Sequence, residues 1–410
     1  MIDLFIPKIQ RIKADRLLLL LFLIFINITA KAQKNVASSQ DIYYTSSDTT
    51  LMMHSKYFGF QRKVFVELPP LYKESDQHSY DVIYVFDAQN KPYFDMVNGL
   101  KPFIDMQFEQ RFIVVGICSP QKQNYSRQDD FLPFPQTKNR DKFYNGHCGH
   151  ADSLSLFIKN ELMPYIDTHY RTTGRTLGIG HSLGASFVLE SMVNHELFTD
   201  YIAISPNMTF DSNRVAKELE QYDYSGVKGH RFLFLSDAGE ERIKGWESWK
   251  PAREELYQYY KNHPLPSSMV LKRKSYPDFN HMSCYPTALH DAMASYFQYR
   301  DSIDQFLNKE SYKVHIELKI DNPKDEVYIT GNQDVLGNWN PQKIKMKKVS
   351  DTIRAIDLEL HYPALFKFTR GNWDTEGYIV NDVNEGINLR IESPKRSNYQ
   401  YVLDYWADRP

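Results

Sequence analysis

The sequence predicts an α/β fold with a mostly parallel sheet, followed by a smaller all-β domain. Three features carry this expectation. Near-continuous apolar runs recur at Asp81–Asp87, Arg111–Ile117, Tyr201–Ser205 and Arg231–Ser236, the pattern of strands buried on both faces. Strand-like and helical segments alternate from Val64 to Phe306, as a sheet of parallel strands requires. Beyond Glu310 the character changes, because Lys313–Ile320 alternates polar and apolar residues strictly. That suits a strand with one wet face.

Composition agrees with a globular chain of more than one domain. The 410 residues are 42% hydrophobic and 24% charged, enough to bury a large core without disulfide staples. A formal net charge of −2, with no block of like charge, leaves no field to attract nucleic acid or an anionic membrane.

Residues 1–32 read as a signal peptide. Lys8, Arg11, Lys13 and Arg16 precede an apolar stretch from Leu17 to Ile28, and Ala30-Lys31-Ala32 offers a small-x-small cleavage site. The apolar stretch is short beside the roughly 20 residues of a membrane span. An uncleaved anchor is the alternative, and no other stretch suits a bilayer. The expectation is export, to the periplasm or outside the cell. Residues 33–47 are a polar lead-in to a domain spanning 48–309, and the all-β domain spans 310–410. An exported chain permits one disulfide among Cys118, Cys148 and Cys284, and the sequence leaves open which pair, if any, forms.

Arg62–Leu68 alternates and ends at Pro69-Pro70, an early edge-type strand. Ser153–Ile166 carries Leu154, Phe157, Ile158, Leu162, Tyr165 and Ile166 at helical spacing, with Pro164 kinking or shortening its last turn. Then Thr176–Ile179 runs as a short apolar strand into Gly180-His181-Ser182-Leu183-Gly184, and helical spacing resumes at Ala185, Val188, Leu189 and Met192. Gly-x-Ser-x-Gly between strand and helix is the nucleophile elbow, which lifts a serine hydroxyl above the sheet. A side chain at Gly180 or Gly184 would collide with backbone packed on either side of the turn. Ser182 Oγ would sit at a helix N-terminus, where partial positive charge favours a developing anion.

A serine nucleophile needs a base to take its proton and an acid to orient the base. In the α/β-hydrolase order the acid follows the serine and the histidine comes last. Asp237, Glu240 and Glu241 all follow the strand at Arg231–Ser236, and His281 lies in the loop Tyr276–Ser283 before a helical run from Thr287 to Phe306. His147, His150, His195, His230 and His263 either precede the acid or lie far from a strand end. His147-Cys148-Gly149-His150 offers three metal-ligand types but no fourth at a suitable spacing, so it reads as a loop. His181 reads as packing beneath the elbow, and Cys284 as a small buried residue.

Arg62 to Phe306 resembles the esterase family of α/β hydrolases that includes siderophore esterases, feruloyl esterases and mycolyltransferase-like proteins. The likeness rests on Val85-Phe86-Asp87-Ala88, Ser126–Pro133, Glu161–Ile166 with Tyr170-Arg171-Thr172, the elbow, and Ile202–Pro206. It implies Ser182 as nucleophile, His281 as base and Glu240 as acid, with Glu241 next and Asp237 third. The oxyanion hole is expected from the backbone N–H of Leu183 and of Ala88 or Gln89. Ala88 stands where the family usually has glycine. Arg127, with Asp129 or Asp130, is expected either to line the pocket or to brace a loop.

Ser311 to Trp406 resembles a starch-binding type of carbohydrate-binding module, through Val327–Asn332, Leu336-Gly337-Asn338-Trp339-Asn340-Pro341 and Phe366–Trp373. A β-sandwich is the expected fold. The resemblance implies that Trp339 and Trp373 flank a glycan and that Lys367 bonds its hydroxyls. An indole offers a flat apolar face to pyranose C–H groups, although burial is the commoner fate of large aromatics. Thr369–Thr375 departs from the starch-binding pattern.

The resulting expectation is an exported serine esterase acting on an acylated carbohydrate, of acetyl or feruloyl type, without metal or organic cofactor. A siderophore or other small ester is the next reading, then acyl transfer to a sugar. A non-catalytic glycan-binding protein is the alternative from another class.

Overall fold

The computed structural model describes residues 47–69, 72, 79–104, 112–120, 122–137, 144–304, 311–379, 388–391 and 396–409. The expected signal peptide and almost all of the lead-in lie outside these residues.

Eight strands build one sheet: β1 (Ser47–Ser55), β2 (Phe60–Leu68), β3 (Tyr80–Val85), β4 (Phe112–Ile117), β5 (Thr172–His181), β6 (Asp200–Ile204), β7 (Arg231–Ala238) and β8 (Met269–Tyr276). Their order is β1-β2-β4-β3-β5-β6-β7-β8. The β1–β2 and β2–β4 pairs are antiparallel, and every pair from β4–β3 to β7–β8 is parallel. Every residue of β3, β4 and β6 is buried, which is why these strands read as unbroken apolar runs.

Successive residues of a strand point to opposite faces, and here each face feeds its own core. Val82, Tyr84, Ile113, Val115, Tyr201 and Ala203 join one hydrophobic cluster, whereas Ile83, Val85, Phe112, Val114, Ile202 and Ile204 join another. Helices cover both faces. They are α1 (Lys91–Ile104), α2 (Arg127–Phe131), α3 (Ala151–Phe157), α4 (Met163–His169), α5 (Leu183–His195), α6 (Phe210–Gln221), α7 (Trp249–Asn262) and α8 (Cys284–Asp304). Leu154, Phe157 and Phe187 enter the first cluster, from α3 and α5. Phe94 and Val97 of α1 enter the second, with Tyr296 and Phe297 of α8.

The break expected at Pro164 takes a specific form. A π-helical turn at Ile158–Leu162 separates α3 from α4, and Pro164 falls in the first turn of α4. The proline's missing N–H is tolerated there, where no intrahelical partner is due. Strand β8 escaped the reading of apolar runs because Lys272, Arg273, Lys274 and Ser275 are exposed along a sheet edge. Charge on an edge strand blocks pairing with other chains. Cys118, Cys148 and Cys284 are all buried, and no disulfide joins any two of them.

The C-terminal region is β-rich. Its longer strands are β9 (Tyr312–Lys319), β10 (Tyr328–Gly331), β13 (Ile353–Leu360), β14 (Ala364–Thr369) and β17 (Asn398–Val402). The short ones are β11 (Ile344–Lys345), β12 (Lys347–Lys348), β15 (Glu376–Tyr378), β16 (Leu389–Ile391) and β18 (Tyr405–Trp406). One sheet runs β11-β10-β14-β15-β18 with β16 also on β14, and the other runs β12-β13-β9-β17. Val314, Ile316 and Leu318 of β9 share one cluster with Ile329, Phe366 and Phe368 of the other sheet.

Candidate active site

Strand β5 ends at His181, and Ser182 caps α5 with φ 58° and ψ −122°. A non-glycine residue in that conformation costs about 1–3 kcal/mol and persists only where its surroundings enforce it. Here the Ser182 N–H donates to the Ile204 carbonyl at 3.0 Å, and the Ser182 carbonyl accepts from the Ser186 N–H at 3.0 Å. A Cβ on Gly180 would lie 2.3 Å from the Gly184 carbonyl oxygen, so no side chain fits. Gly184 is less tightly held. A Cβ there would lie 3.2 Å from Asp87 Oδ2, which shows how closely the start of α5 approaches the turn after β3. Ser182 is half-buried, and its Oγ has no hydrogen-bond partner among the described residues.

His281 is 5% exposed and follows β8. Its Nδ1 lies 3.3 Å from Glu240 Oε1. The other carboxylate oxygen, Oε2, accepts from the Ala238 N–H at 2.9 Å and from Arg253 at 2.9 Å. Burial pushes the Glu240 carboxyl up, but hydrogen bonds from His281, Ser205 and the Ala238 N–H outweigh it and draw it down to about 2. Trp246 and Trp249 stack at 4.4 Å, and each meets the His281 ring at nearly a right angle, 4.9 and 5.4 Å away.

The other two candidate acids face elsewhere. Glu241 pairs with Arg253 at 3.0 Å. Asp237 still belongs to β7 and accepts from Tyr257 at 3.1 Å and Ser275 at 2.5 Å.

The turn after β3 corrects one expectation. The Ala88 N–H donates to the Ile117 carbonyl at 3.1 Å, so it is not available to an oxyanion. Asp87 has φ 61° and turns the chain so that Ala88 packs inward, fully buried. The N–H groups of Gln89 and Leu183 have no acceptor among the described residues. Gln89 is itself pinned, since Nε2 donates to Asp87 at 2.9 Å and Oε1 accepts from the Ser119 N–H at 2.9 Å.

Arg127 braces this turn through two bonds to Asp87, at 2.7 and 2.5 Å. Asp129 and Asp130 do not pair with Arg127. Asp129 bonds the Ser126 N–H at 2.8 Å and His147 at 2.7 Å, and Asp130 holds the buried Arg62 through two bonds of 2.8 Å. His147 and the buried Cys148 thus serve the loop rather than meeting at one point. Trp246, Trp249, Arg253 and Ser205 escaped the sequence reading. A usable signal was the pair of tryptophans three apart just beyond the acid.

In the C-terminal region Trp373 is 43% exposed. Trp339 is half-buried with φ 60°. Lys367 is largely buried and ion-paired with Glu376.

Residues 55–265, just over half of the chain, match the model of the Esterase family. Comparison with curated proteins gives no match. Among solved structures, an IroE-like serine hydrolase from Shewanella oneidensis is similar at 24% identity and a TM-score of 0.53, covering 62% of this chain and 80% of that one. BES protein from Bacillus cereus is similar at 22% identity and a TM-score of 0.52, covering 61% and 96%. Siderophore hydrolase EstA from Aspergillus nidulans follows at 20% identity and a TM-score of 0.50, covering 62% and 94%. At these identities the likeness is one of fold, and the family match rests on the sequence itself: the chain belongs to the Esterase family.

Proposed function

We propose that the protein is an exported serine esterase working through an acyl-enzyme on an ester attached to carbohydrate. The observation that carries the reading is Glu240 on Nδ1 of the buried His281. An ionised carboxylate there keeps the proton on Nδ1 and leaves Nε2 free to act as a base. Ser182 Oγ attacks the ester carbonyl while His281 Nε2 takes its proton. The N–H groups of Leu183 and Gln89 hold the oxyanion. His281 then protonates the departing alkoxide, and an acyl-Ser182 ester remains. A water molecule, deprotonated by His281, displaces the acyl group as a carboxylic acid and restores the serine.

Near His281, exposed apolar side chains stand among the exposed polar residues Asp278, Asn280 and Ser283: Trp246 is half-buried, Phe279 is 36% exposed and Met282 is 61% exposed. These apolar side chains near the base favour an aryl acyl group of feruloyl type over acetyl. Exposed Trp373 favours a glycan ligand for the C-terminal region, which we take as a β-sandwich module separate from residues 48–309. Export rests on the N-terminal residues. No helix of the described residues is long and apolar enough to cross a membrane. A small ester such as a siderophore is the second reading, favoured by the siderophore hydrolase among the similar structures.

Initial rates on p-nitrophenyl acetate, methyl ferulate and a feruloylated polysaccharide test the substrate class. Methyl ferulate is expected to exceed acetate in kcat/KM by about tenfold, after allowance for the leaving groups. Trp373→Ala is expected to match wild type on the soluble esters and to lose about tenfold on the polymer. Equal rates of wild type and variant on the polymer would remove the glycan-binding reading.

A further inference from the structure

We propose that His181 is a positioning residue, a neutral strut that holds the loop of the base against the nucleophile elbow. The proposal deepens the serine-esterase reading and rests on it. His181 immediately precedes Ser182, closes β5 and is 3% exposed. Its Nε2 lies 2.9 Å from the backbone carbonyl of His281. A carbonyl oxygen only accepts, so Nε2 carries the hydrogen. Nδ1 of the neutral ring is then bare, and the Tyr93 hydroxyl 3.0 Å away donates to it. Tyr93 belongs to α1, which directly follows the turn bearing Gln89. One imidazole therefore joins the oxyanion turn, the elbow and the base loop.

The rings reinforce the tie. His181 and His281 stack with centroids 4.6 Å apart and planes 29° from parallel. Tyr93 and Tyr285 enclose the other sides, at 5.7 and 5.2 Å. The charged or titratable groups that face His181 are His281, Arg127 and Glu240, together with the two tyrosine hydroxyls and the Cys284 thiol, which shares the His281 carbonyl at 3.3 Å. Burial, then the neighbouring His281, hold the His181 imidazole down to about 3 despite its hydrogen bond to the His281 carbonyl. Burial pushes the Tyr93 hydroxyl up to about 12, so it stays a donor.

Neutrality has a mechanistic purpose. His281 becomes a cation when it takes the Ser182 proton, and a second cation stacked on it would oppose that step. The strut therefore supports the base geometrically without competing with its charge. It is also distinct from a proton relay, because its Nε2–H points at a carbonyl and its Nδ1 at a hydroxyl that stays protonated.

The test compares His181→Phe, which keeps a ring but loses the donor, with His181→Gln, whose amide can reach the same carbonyl. His181→Phe is expected to lower kcat on p-nitrophenyl acetate about 10- to 100-fold with KM within about threefold. His181→Gln is expected to stay within about fivefold of wild type. Both should keep the acidic limb of the kcat/KM profile, because His181 is held neutral throughout that range. Nitrogen-15 chemical shifts of the wild-type histidines give a readout that needs neither activity nor a folded variant. His181 should show the Nε2–H tautomer without titrating from pH 5 to pH 9.

A His181→Phe enzyme with wild-type kcat, a His181→Gln enzyme as poor as His181→Phe, a lost acidic limb, or a titrating or Nδ1–H His181 would each overturn the strut. Ser182→Ala run in parallel separates the two readings. If it keeps wild-type turnover, or wild type has none, the serine reading falls and the nitrogen-15 result alone decides the strut.

Discussion

Ser182→Ala is expected to lower kcat on p-nitrophenyl esters by about 10⁴- to 10⁶-fold. The loss is that large because, in the proposed mechanism, the serine oxygen forms the covalent bond. Ser182 Oγ has no hydrogen-bond partner among the described residues, so its removal leaves no buried donor unpaired. Thermal stability should therefore stay near wild type, which keeps the kinetic result free of a folding artefact. His281→Ala is expected to fall to a similar floor, since a serine without its base is not activated. The double variant should be no worse than the poorer single one, because residues acting as a unit do not contribute additively. Active-site-normalised rates of the three variants check this. A double variant that loses the product of the single effects would mean that the two side chains work independently.

Glu240→Gln is expected to lower kcat by about 10²- to 10⁴-fold, with Glu241→Gln within about threefold of wild type. An amide at position 240 can present its NH₂ to Nδ1 and so select the tautomer whose Nε2 already carries a proton. Glu241 bonds Arg253 and does not reach the imidazole. The same substitution has a stability signature. Glu240 sits near 2 in the folded protein, below the ordinary 4.5. A depressed carboxyl stabilises the folded state above its unfolded value, and that stability disappears as pH falls through the folded one. The shift amounts to about 3 kcal/mol at neutral pH, lost between about pH 4.5 and pH 2. Urea midpoints of Glu240→Gln should thus fall less steeply than those of wild type over that window. A Glu241→Gln enzyme with the larger kinetic loss would reassign the acid.

The strands were legible wherever burial on both faces made them apolar throughout, as at Tyr80–Val85 and Phe112–Ile117. The elbow was legible because Gly180 has no room for any side chain. The acid was harder, with three carboxylates within five residues. Their separation depends on where β7 stops. The strand runs on through Ala238 and carries Asp237 toward Tyr257 and Ser275, while the 3₁₀ turn at Glu240–Arg242 brings Glu240 back over His281. No local pattern reports that stopping point.

Ala88 and Gln89 could not be told apart for a similar reason. The positive φ at Asp87 decides which N–H faces β4, and it is held by Arg127, 40 residues away. The two tryptophans against His281 lie on a loop and a helix start that carry no strand-like or strongly apolar signal. In the C-terminal region the turn at Trp339 was visible as Asn and Gly residues. Its positive φ, and the ion pair that engages Lys367, arise only from the surrounding sheet.

The most direct measurement of the central claim is labelling by a fluorophosphonate, read by intact mass and peptide mapping. One adduct per chain is expected, located on Ser182, absent from Ser182→Ala and formed more slowly by His281→Ala. An enzyme that turns over esters with no adduct, or with the adduct on another residue, would contradict the assignment of Ser182 as the nucleophile.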